Sequence, residues 1–121
     1  MILLAALAAV TAFNVSCVGT EKVTSKHLKP LERPFERVYR VDLMGRRWCL
    51  DKCSETRPIV RATKTQIVLY ESIDSVTKAR TTLDREQGTL FEFFGTDTGY
   101  LSITTAVCKG SKFTGFPALK F

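Results

Sequence analysis

The chain has 121 residues, of which 45% are hydrophobic and 25% charged, and it carries a formal net charge of +6. These values are typical of one globular domain and exclude a disordered or fibrous chain. The basic balance suits a partner that bears phosphates, anionic head groups or acidic glycans, although a solvated surface that keeps the protein in solution explains the same charge.

An uncharged segment opens the chain, because the first charged residue is Glu21. It contains the apolar run ILLAALAAVTAF, which is too short to span a bilayer as a helix but has the length of a signal-peptide core. Residues 1–20 are therefore predicted to form an apolar, signal-like helix, with cleavage before Phe13 or, alternatively, after Ala8. No Lys or Arg precedes the run, so an upstream start codon, an atypical signal and the buried first helix of a cytosolic protein stay open.

The tract NVSC, which ends at Cys17, is similar to the sequence box at which bacterial lipoproteins are lipidated. Asn14 stands where that box has an aliphatic residue, which argues against a lipid anchor on Cys17. Residues 21–34 are polar and basic and are interrupted by Pro30 and Pro34. They predict an extended leader into the domain.

Residues 35–121 are predicted to form a single domain of β-strands. FERVYRVDL, which begins at Phe35, alternates its side chains with the period of two that a half-buried strand shows, and the turn MGRR follows it. Further strands are predicted in WCL, IVRAT, QIVLYES and SVTKARTTLD, which except for WCL are rich in Val, Ile, Thr and Tyr.

The clearest hairpin is TTLDREQGTLFEFF, in which Gly88 can adopt the positive φ that its turn requires. GTDTG is the next turn, and YLSITTAVC is a strand that ends at Cys108. Helical periodicity does not persist over three turns anywhere after residue 35. Six to seven strands at a spacing of about ten residues predict a mainly β fold, an antiparallel meander that closes into a small barrel or sandwich.

The tail KFTGFPALKF is expected to pack across an open end or edge of this sheet, because an uncovered edge invites aggregation. Charges at alternating positions and short strands argue against a lipid-facing barrel. We therefore do not expect an integral membrane protein.

The four cysteines of a small exported domain predict disulfides. We expect one of Cys49 and Cys53 to bind Cys108, because closing that longer loop removes about 4 kcal/mol of unfolded-chain entropy, against about 2 kcal/mol for a Cys49–Cys53 bridge. A local bridge would require LDK to form a turn, because residues four apart in a strand lie about 13 Å apart. Cys17 would be left over, removed with the signal or lipidated. Zinc and redox sites are disfavoured, since the only histidine, His27, lies far upstream and the spacing is C-x3-C.

The sequence contains no catalytic constellation. His27 lies in the proline-interrupted stretch and is expected to be a solvated surface residue rather than the base of a nucleophilic site. Carboxylates that could act in pairs lie mostly in turns, where local hydrogen bonding and solvation explain them. The motifs GxxxxGK, GxGxxG and HExxH are absent. We expect a protein that is not an enzyme and that has no catalytic residues, no metal and no cofactor.

Binding is the remaining class of function. We expect a periplasmic or secreted protein that acts by binding in the cell envelope, with an envelope protein or a small ligand as its partner. Nucleic acid is not expected, because aromatic residues do not interleave with basic ones in a binding motif. Arg46, Arg47, Phe113 and Phe116 form the predicted contact surface. A lipocalin-like carrier of a small apolar ligand and a proteinaceous inhibitor of an envelope hydrolase are the alternatives.

The order of several motifs resembles a group of small exported proteins of alphaproteobacteria. WC is followed by a second cysteine, by DREQG between two strands, and by a late cysteine before FTGFP and a closing KF. In that group the turn often reads RETG and the end PFSGFP, so Gln87 and Lys112 depart from its pattern. The resemblance covers about Phe35 to Phe121. It implies a periplasmic β-domain held by a disulfide, and it implies no activity.

Overall fold

The computed structural model describes residues 11–117, and every regular element in that range is a β-strand. Nine strands form one antiparallel sheet. Their bounds are β1 Ala12–Ser25, β2 Leu28–Asp42, β3 Arg47–Leu50, β4 Arg57–Pro58, β5 Arg61–Ala62, β6 Gln66–Ile73, β7 Thr77–Asp84, β8 Thr89–Thr96 and β9 Leu101–Lys112. Within residues 11–117 no helix is long and apolar enough to cross a membrane.

The sheet curls into a half-barrel with the spatial strand order β4-β3-β2-β1-β9-β8-β7-β6-β5. Its two edge strands, β4 and β5, follow each other in the chain, with Ile59 and Val60 between them. Ile59 N donates to Arg46 O beside β3, and Val60 N donates to Val68 O in β6. This short segment therefore joins the two edges at the end of the half-barrel where β1 begins.

The core lies on the inner face of the half-barrel. One row of this core crosses five strands, from β7 through β8, β9 and β1 to β2. Each of its residues is the register partner of the next: Leu83, Leu90, Ala106, Gly19 and Phe35. The four side chains of this row are buried. Burial of such aliphatic and aromatic surface stabilises the fold by about 25 cal/mol per Å².

Trp48 connects opposite sides of the half-barrel. Its indole Nε1 donates to the Leu69 carbonyl oxygen at 2.8 Å, a buried hydrogen bond from β3 to β6. Its ring lies 5.9 Å from that of Tyr39, centroid to centroid. The hydrogen bond satisfies a carbonyl that would otherwise be costly to bury.

The antiparallel meander confirms the sequence-based prediction of a mainly β fold, but the sheet has nine strands rather than six to seven and curls into a half-barrel rather than a closed barrel or a sandwich. In FERVYRVDL the buried side chains are Phe35, Tyr39 and Val41, as the period of two indicates. The DREQG turn joins β7 to β8, and Gly88 has a φ of 66° there. The predicted strand IVRAT is reduced to the two residues of β5, because the chain there crosses from one sheet edge to the other.

The N-terminal predictions need correction from residue 12 onward. The part of the signal-like segment that the structure describes is strand β1, not a helix, and the predicted leader 21–34 is the distal part of the β1–β2 hairpin. The domain therefore does not begin at Phe35. β1 pairs on both sides, with β2 and β9, and its first nine residues, 12–20, are uncharged, which suits this central position. Residues 1–10, where the signal is also predicted, lie outside the described residues.

Pro34 of the predicted leader protects an open sheet edge. β3 covers only the last four residues of β2, so the preceding part of β2 is an edge. Asp51 N donates to Val38 O, which shows that even-numbered residues of β2 direct their peptide groups outward. Pro34 is in this outward phase and offers no N–H, which limits pairing with another chain, whereas Pro30 lies at the register shift between β1 and β2.

The disulfides are Cys17–Cys108 and Cys49–Cys53, so the predicted link from Cys49 or Cys53 to Cys108 is wrong. Cys17 and Cys108 are direct register partners on β1 and β9. The local bridge forms because the chain turns after Leu50, with Cys53 N donating to Leu50 O at 3.0 Å. Since the Cys17 sulfur is in a disulfide, no thiol remains there for a lipid anchor. Two disulfides indicate an oxidising, extracytoplasmic compartment.

Candidate functional site

The inner face of the half-barrel changes from polar to apolar along the strands. A polar row lies next to the apolar row of the core, on the side of the β1–β2 turn. Each of its residues is the register partner of the next one on the neighbouring strand: Thr81, Glu92, Thr104, Glu21 and Arg33. Beyond the apolar row, where β1 begins, the same phase of β1 carries Cys17, Val15 and Phe13, and Arg37 and Lys112 are among their register partners. The polar row and the apolar row are therefore adjacent on one concave surface.

The polar row satisfies most of its own groups. Thr81 Oγ1 donates to Glu92 Oε2 at 2.5 Å, and Ser102 Oγ donates to Glu21 Oε2 at 2.6 Å. Arg33 also donates to Glu21, and the hydrogen bonds from Arg33 and then Ser102 lower the pKa of that carboxyl. The two carboxylates are thus already engaged by groups of the chain.

The apolar end contains a cleft of about 700 Å³. This volume lies in the range of cavities that hold small molecules. Apolar side chains from β1, β6 and β7 and the segment after β9 form much of its wall. The lining residues are Ala12, Phe13, Val15, Ile67, Leu83, Asp84, Arg85, Gly88, Thr89, Cys108, Gly110, Ser111, Lys112 and Phe113.

Two cations flank Phe13 among the residues that line the cleft. Lys112 is the register partner of Phe13 on β9, so its side chain projects from the same inner face. The Arg85 guanidinium carbon lies 5.4 Å from the centre of the Phe13 ring. Among residues 11–117 neither cation forms an ion pair. The apolar cleft is therefore bordered by positive charge.

The β7–β8 turn fixes the backbone at Arg85. Asp84 Oδ1 accepts hydrogen bonds from the backbone N–H of Glu86 and of Gln87, both at 2.9 Å. Arg85 N donates to Thr65 O at 2.6 Å, which ties the turn to the loop before β6. Asp84 is the only acidic residue among the described residues that line the cleft. One of its oxygens is engaged by the turn.

The segment 113–117 packs on the half-barrel, as predicted for the tail. Asn14 Nδ2 donates to Thr114 Oγ1 at 2.9 Å, and Asn14 Oδ1 accepts from Thr114 N at 3.2 Å. Arg40 Nη1 donates to Gly115 O at 3.0 Å. The segment crosses the outer face of β1 and β2, because Asn14 and Arg40 are register partners on the face opposite to Val15.

The structure brings together three of the four residues predicted as a contact surface. The Phe113 and Phe116 rings meet edge to face at 5.0 Å, and the Arg47 guanidinium carbon lies 4.9 Å from the Phe116 ring centre. Phe113 also lines the cleft. Arg46 is exposed in the β2–β3 turn with a φ of 57°. Its carbonyl, rather than its side chain, makes the contact with the segment that joins the sheet edges.

His27 lies in the exposed β1–β2 turn, at the end of the half-barrel opposite the cleft. No group of three or more His, Cys, Asp and Glu side chains in the described part of the chain is placed to hold a metal ion. The cleft itself offers apolar surface and two cations for binding.

Comparisons with protein-family models, with curated proteins and with solved structures give no match.

Sequence reasoning missed the cleft because it assigned Phe13 and Val15 to a signal segment. Lys112 is noted in the sequence only as a departure from the PFSGFP ending of the resembled group, and Arg85 only as part of a turn. The available signal was the alternation from Phe13 to Cys17, which continues the period of two that identifies the later strands. A β1 strand paired with β9 would have placed Lys112 beside Phe13.

Proposed function

We propose that the protein is a non-catalytic binding protein of the periplasm or the secreted fraction that holds a small, largely apolar ligand in the cleft. The observation that carries the proposal is the cleft of about 700 Å³, which has apolar walls. A cavity of this kind in a curled sheet suits transport or storage of one small molecule. The two disulfides, which indicate an oxidising compartment, support the location.

The cleft favours a carrier over a protein-binding surface or a hydrolase inhibitor. Phe113 turns toward the cleft, and Phe116 is partly buried beneath Arg47. The segment that bears both rings is tied to β1 and β2 by hydrogen bonds. Phe113 therefore forms part of the cleft wall, and both rings offer less surface to a protein partner than free side chains would.

A glycine provides a sharp test of the proposal. A Cβ atom built at Gly110 would meet only Asn14 O, at 3.9 Å, so Gly110→Leu can place a side chain into the cleft without a clash at its base. Gly95→Leu is the matched control, because Gly95 lies on β8 outside the cleft and its Cβ would also make only ordinary contacts, at 3.6 Å.

The probe is the neutral fluorophore N-phenyl-1-naphthylamine, whose emission rises in apolar surroundings. Wild type and Gly95→Leu should bind one molecule each, and Gly110→Leu should lose at least tenfold in affinity while its thermal midpoint stays near that of wild type. Equal binding by all three folded chains would contradict the assignment of the ligand to this cleft. No binding by wild type would contradict the proposed function.

A further inference from the structure

We infer that the ligand of the cleft is a single-chain amphiphile with an anionic head group, a carboxylate or a phosphate monoester, that Lys112 and Arg85 bind. The inference rests on the proposed function, because it names the chemical class of ligand for the same cleft. Its evidence is the position of the two cations relative to the apolar walls.

The first cation projects from the inner face by strand register. Lys112 ends β9 opposite Phe13, and Gly110 lies opposite Val15 two residues earlier on the same face. The lysine amine is therefore carried on the strand that forms one wall of the cleft. Lys112 is exposed and has no ion-pair partner among residues 11–117, which leaves its amine available to an anion.

The second cation comes from the neighbouring turn. Arg85 lies over the Phe13 ring, and its backbone is fixed by the bond from Arg85 N to Thr65 O. Its guanidinium can bind a carboxylate or phosphate through two parallel hydrogen bonds. Asp84, the one carboxylate among the described lining residues, gives an oxygen to two turn amides. Among the described residues that line the cleft there are thus two cations and one carboxylate, and one oxygen of that carboxylate already accepts hydrogen bonds from the turn.

The walls explain why the anion should carry an apolar chain. Val15, Ile67 and Leu83 belong to the buried core and also line the cleft. A free phosphate would gain nothing from these walls, and a neutral hydrocarbon would gain nothing from the cations. Each methylene added within the cleft should improve affinity about fourfold until the space is filled.

The experiment compares four ligands that share a twelve-carbon chain, each below its micellar concentration. Dodecanoate, dodecyl phosphate, dodecanol and dodecyltrimethylammonium compete with bound N-phenyl-1-naphthylamine. We expect both anions to bind about tenfold or more tightly than the alcohol, and the cation to bind most weakly. The preference for anions over the alcohol should shrink as salt is raised.

Three variants locate the head group. Lys112→Gln and Arg85→Gln should each weaken both anions about three- to tenfold and leave dodecanol unchanged. Lys109→Gln removes the same charge from the outer face of β9, where Lys109 is the register partner of Ser16, and should change the affinity for the anions by less than twofold.

The possible outcomes separate a failure of the inferred head group from a failure of the proposed function. Equal affinity for dodecanoate and dodecanol would overturn the anionic head group and leave an apolar carrier. An equal loss in Lys109→Gln and Lys112→Gln would overturn direct binding by Lys112 and would show a general effect of net charge. Failure of every ligand to displace the probe, or of the probe to bind, would overturn the proposed function itself.

Discussion

Gly19 of β1 packs directly against the backbone of β9, with no room for a side chain. A Cβ atom built on Gly19 would lie 1.9 Å from Thr105 O and 2.5 Å from the Ala106 Cα. Both atoms belong to backbone, so the strands themselves would have to move apart. We expect Gly19→Ala to lower the free energy of unfolding by about 3 kcal/mol, measured by urea denaturation. Gly95→Ala is the control and should change it by less than about 1 kcal/mol.

Thr104 carries a hydroxyl without a hydrogen-bond partner among the described residues, and it is only 1% exposed. Removing this hydroxyl removes a desolvation penalty, so Thr104→Val should raise the free energy of unfolding by about 1 kcal/mol. Thr81→Val is the contrasting change, because Thr81 Oγ1 donates to Glu92. It should lower the free energy of unfolding by about 1–3 kcal/mol. If both variants shift chemical denaturation equally, the orphaned hydroxyl is not the cause.

At the scale of elements, the two disulfides close loops of very different length. Cys17–Cys108 spans 91 residues and Cys49–Cys53 spans 4. The chain-entropy relation gives about 4–5 kcal/mol for the first bridge and about 2 kcal/mol for the second. We therefore expect Cys17→Ser with Cys108→Ser to destabilise the fold far more than Cys49→Ser with Cys53→Ser, measured by denaturation without reductant. The reverse order would contradict the pairing.

Glu71 links three strands through its carboxylate. It accepts two hydrogen bonds from Arg61 of β5, at 3.0 and 2.9 Å, and one from Arg80 of β7, at 2.5 Å. The hydrogen bonds from Arg61 and then Arg80 lower the pKa of Glu71 from its ordinary value of 4.5 to about 2. Because the carboxyl is more acidic in the folded state, its stabilisation is complete above about pH 4.5 and is lost as the pH falls toward 2.

The test compares wild type with Glu71→Gln over this pH range. The difference in free energy of unfolding between them should be constant at neutral pH and should shrink between about pH 4.5 and 2. Glu86→Gln controls for the loss of one negative charge, because Glu86 lies in an exposed turn. A difference that does not change with pH would contradict the role of the Glu71 carboxylate.

For the molecule as a whole, the sequence predicts the architecture better than the site. The alternation in FERVYRVDL and the turn DREQG predict strands and a hairpin directly, since they depend on neighbouring residues. The start of β1 resembles a signal core, because a central strand that pairs on both sides can be as free of charge as a signal peptide. Loop entropy alone ranked the cysteine pairs incorrectly, since it contains no information about which residues are register partners.

The cleft could not be predicted from local patterns. It requires the pairing of Phe13 with Lys112 across a sequence separation of nearly the whole chain, and it requires the curl that brings Ile67 and Leu83 to the same end. The side chains predicted as an exposed contact surface include Phe113, which the fold places at the cleft. Composition indicated a basic protein but not that two of its cations border an apolar cavity.

The most direct test of the account is native mass spectrometry of the protein equilibrated with dodecanoate, with Gly110→Leu analysed in parallel. We predict a 1:1 complex for wild type and its loss in Gly110→Leu, with the same distribution of charge states for both free proteins. Equal occupancy in the two chains, or no complex with wild type, would contradict a carrier that binds its ligand in this cleft.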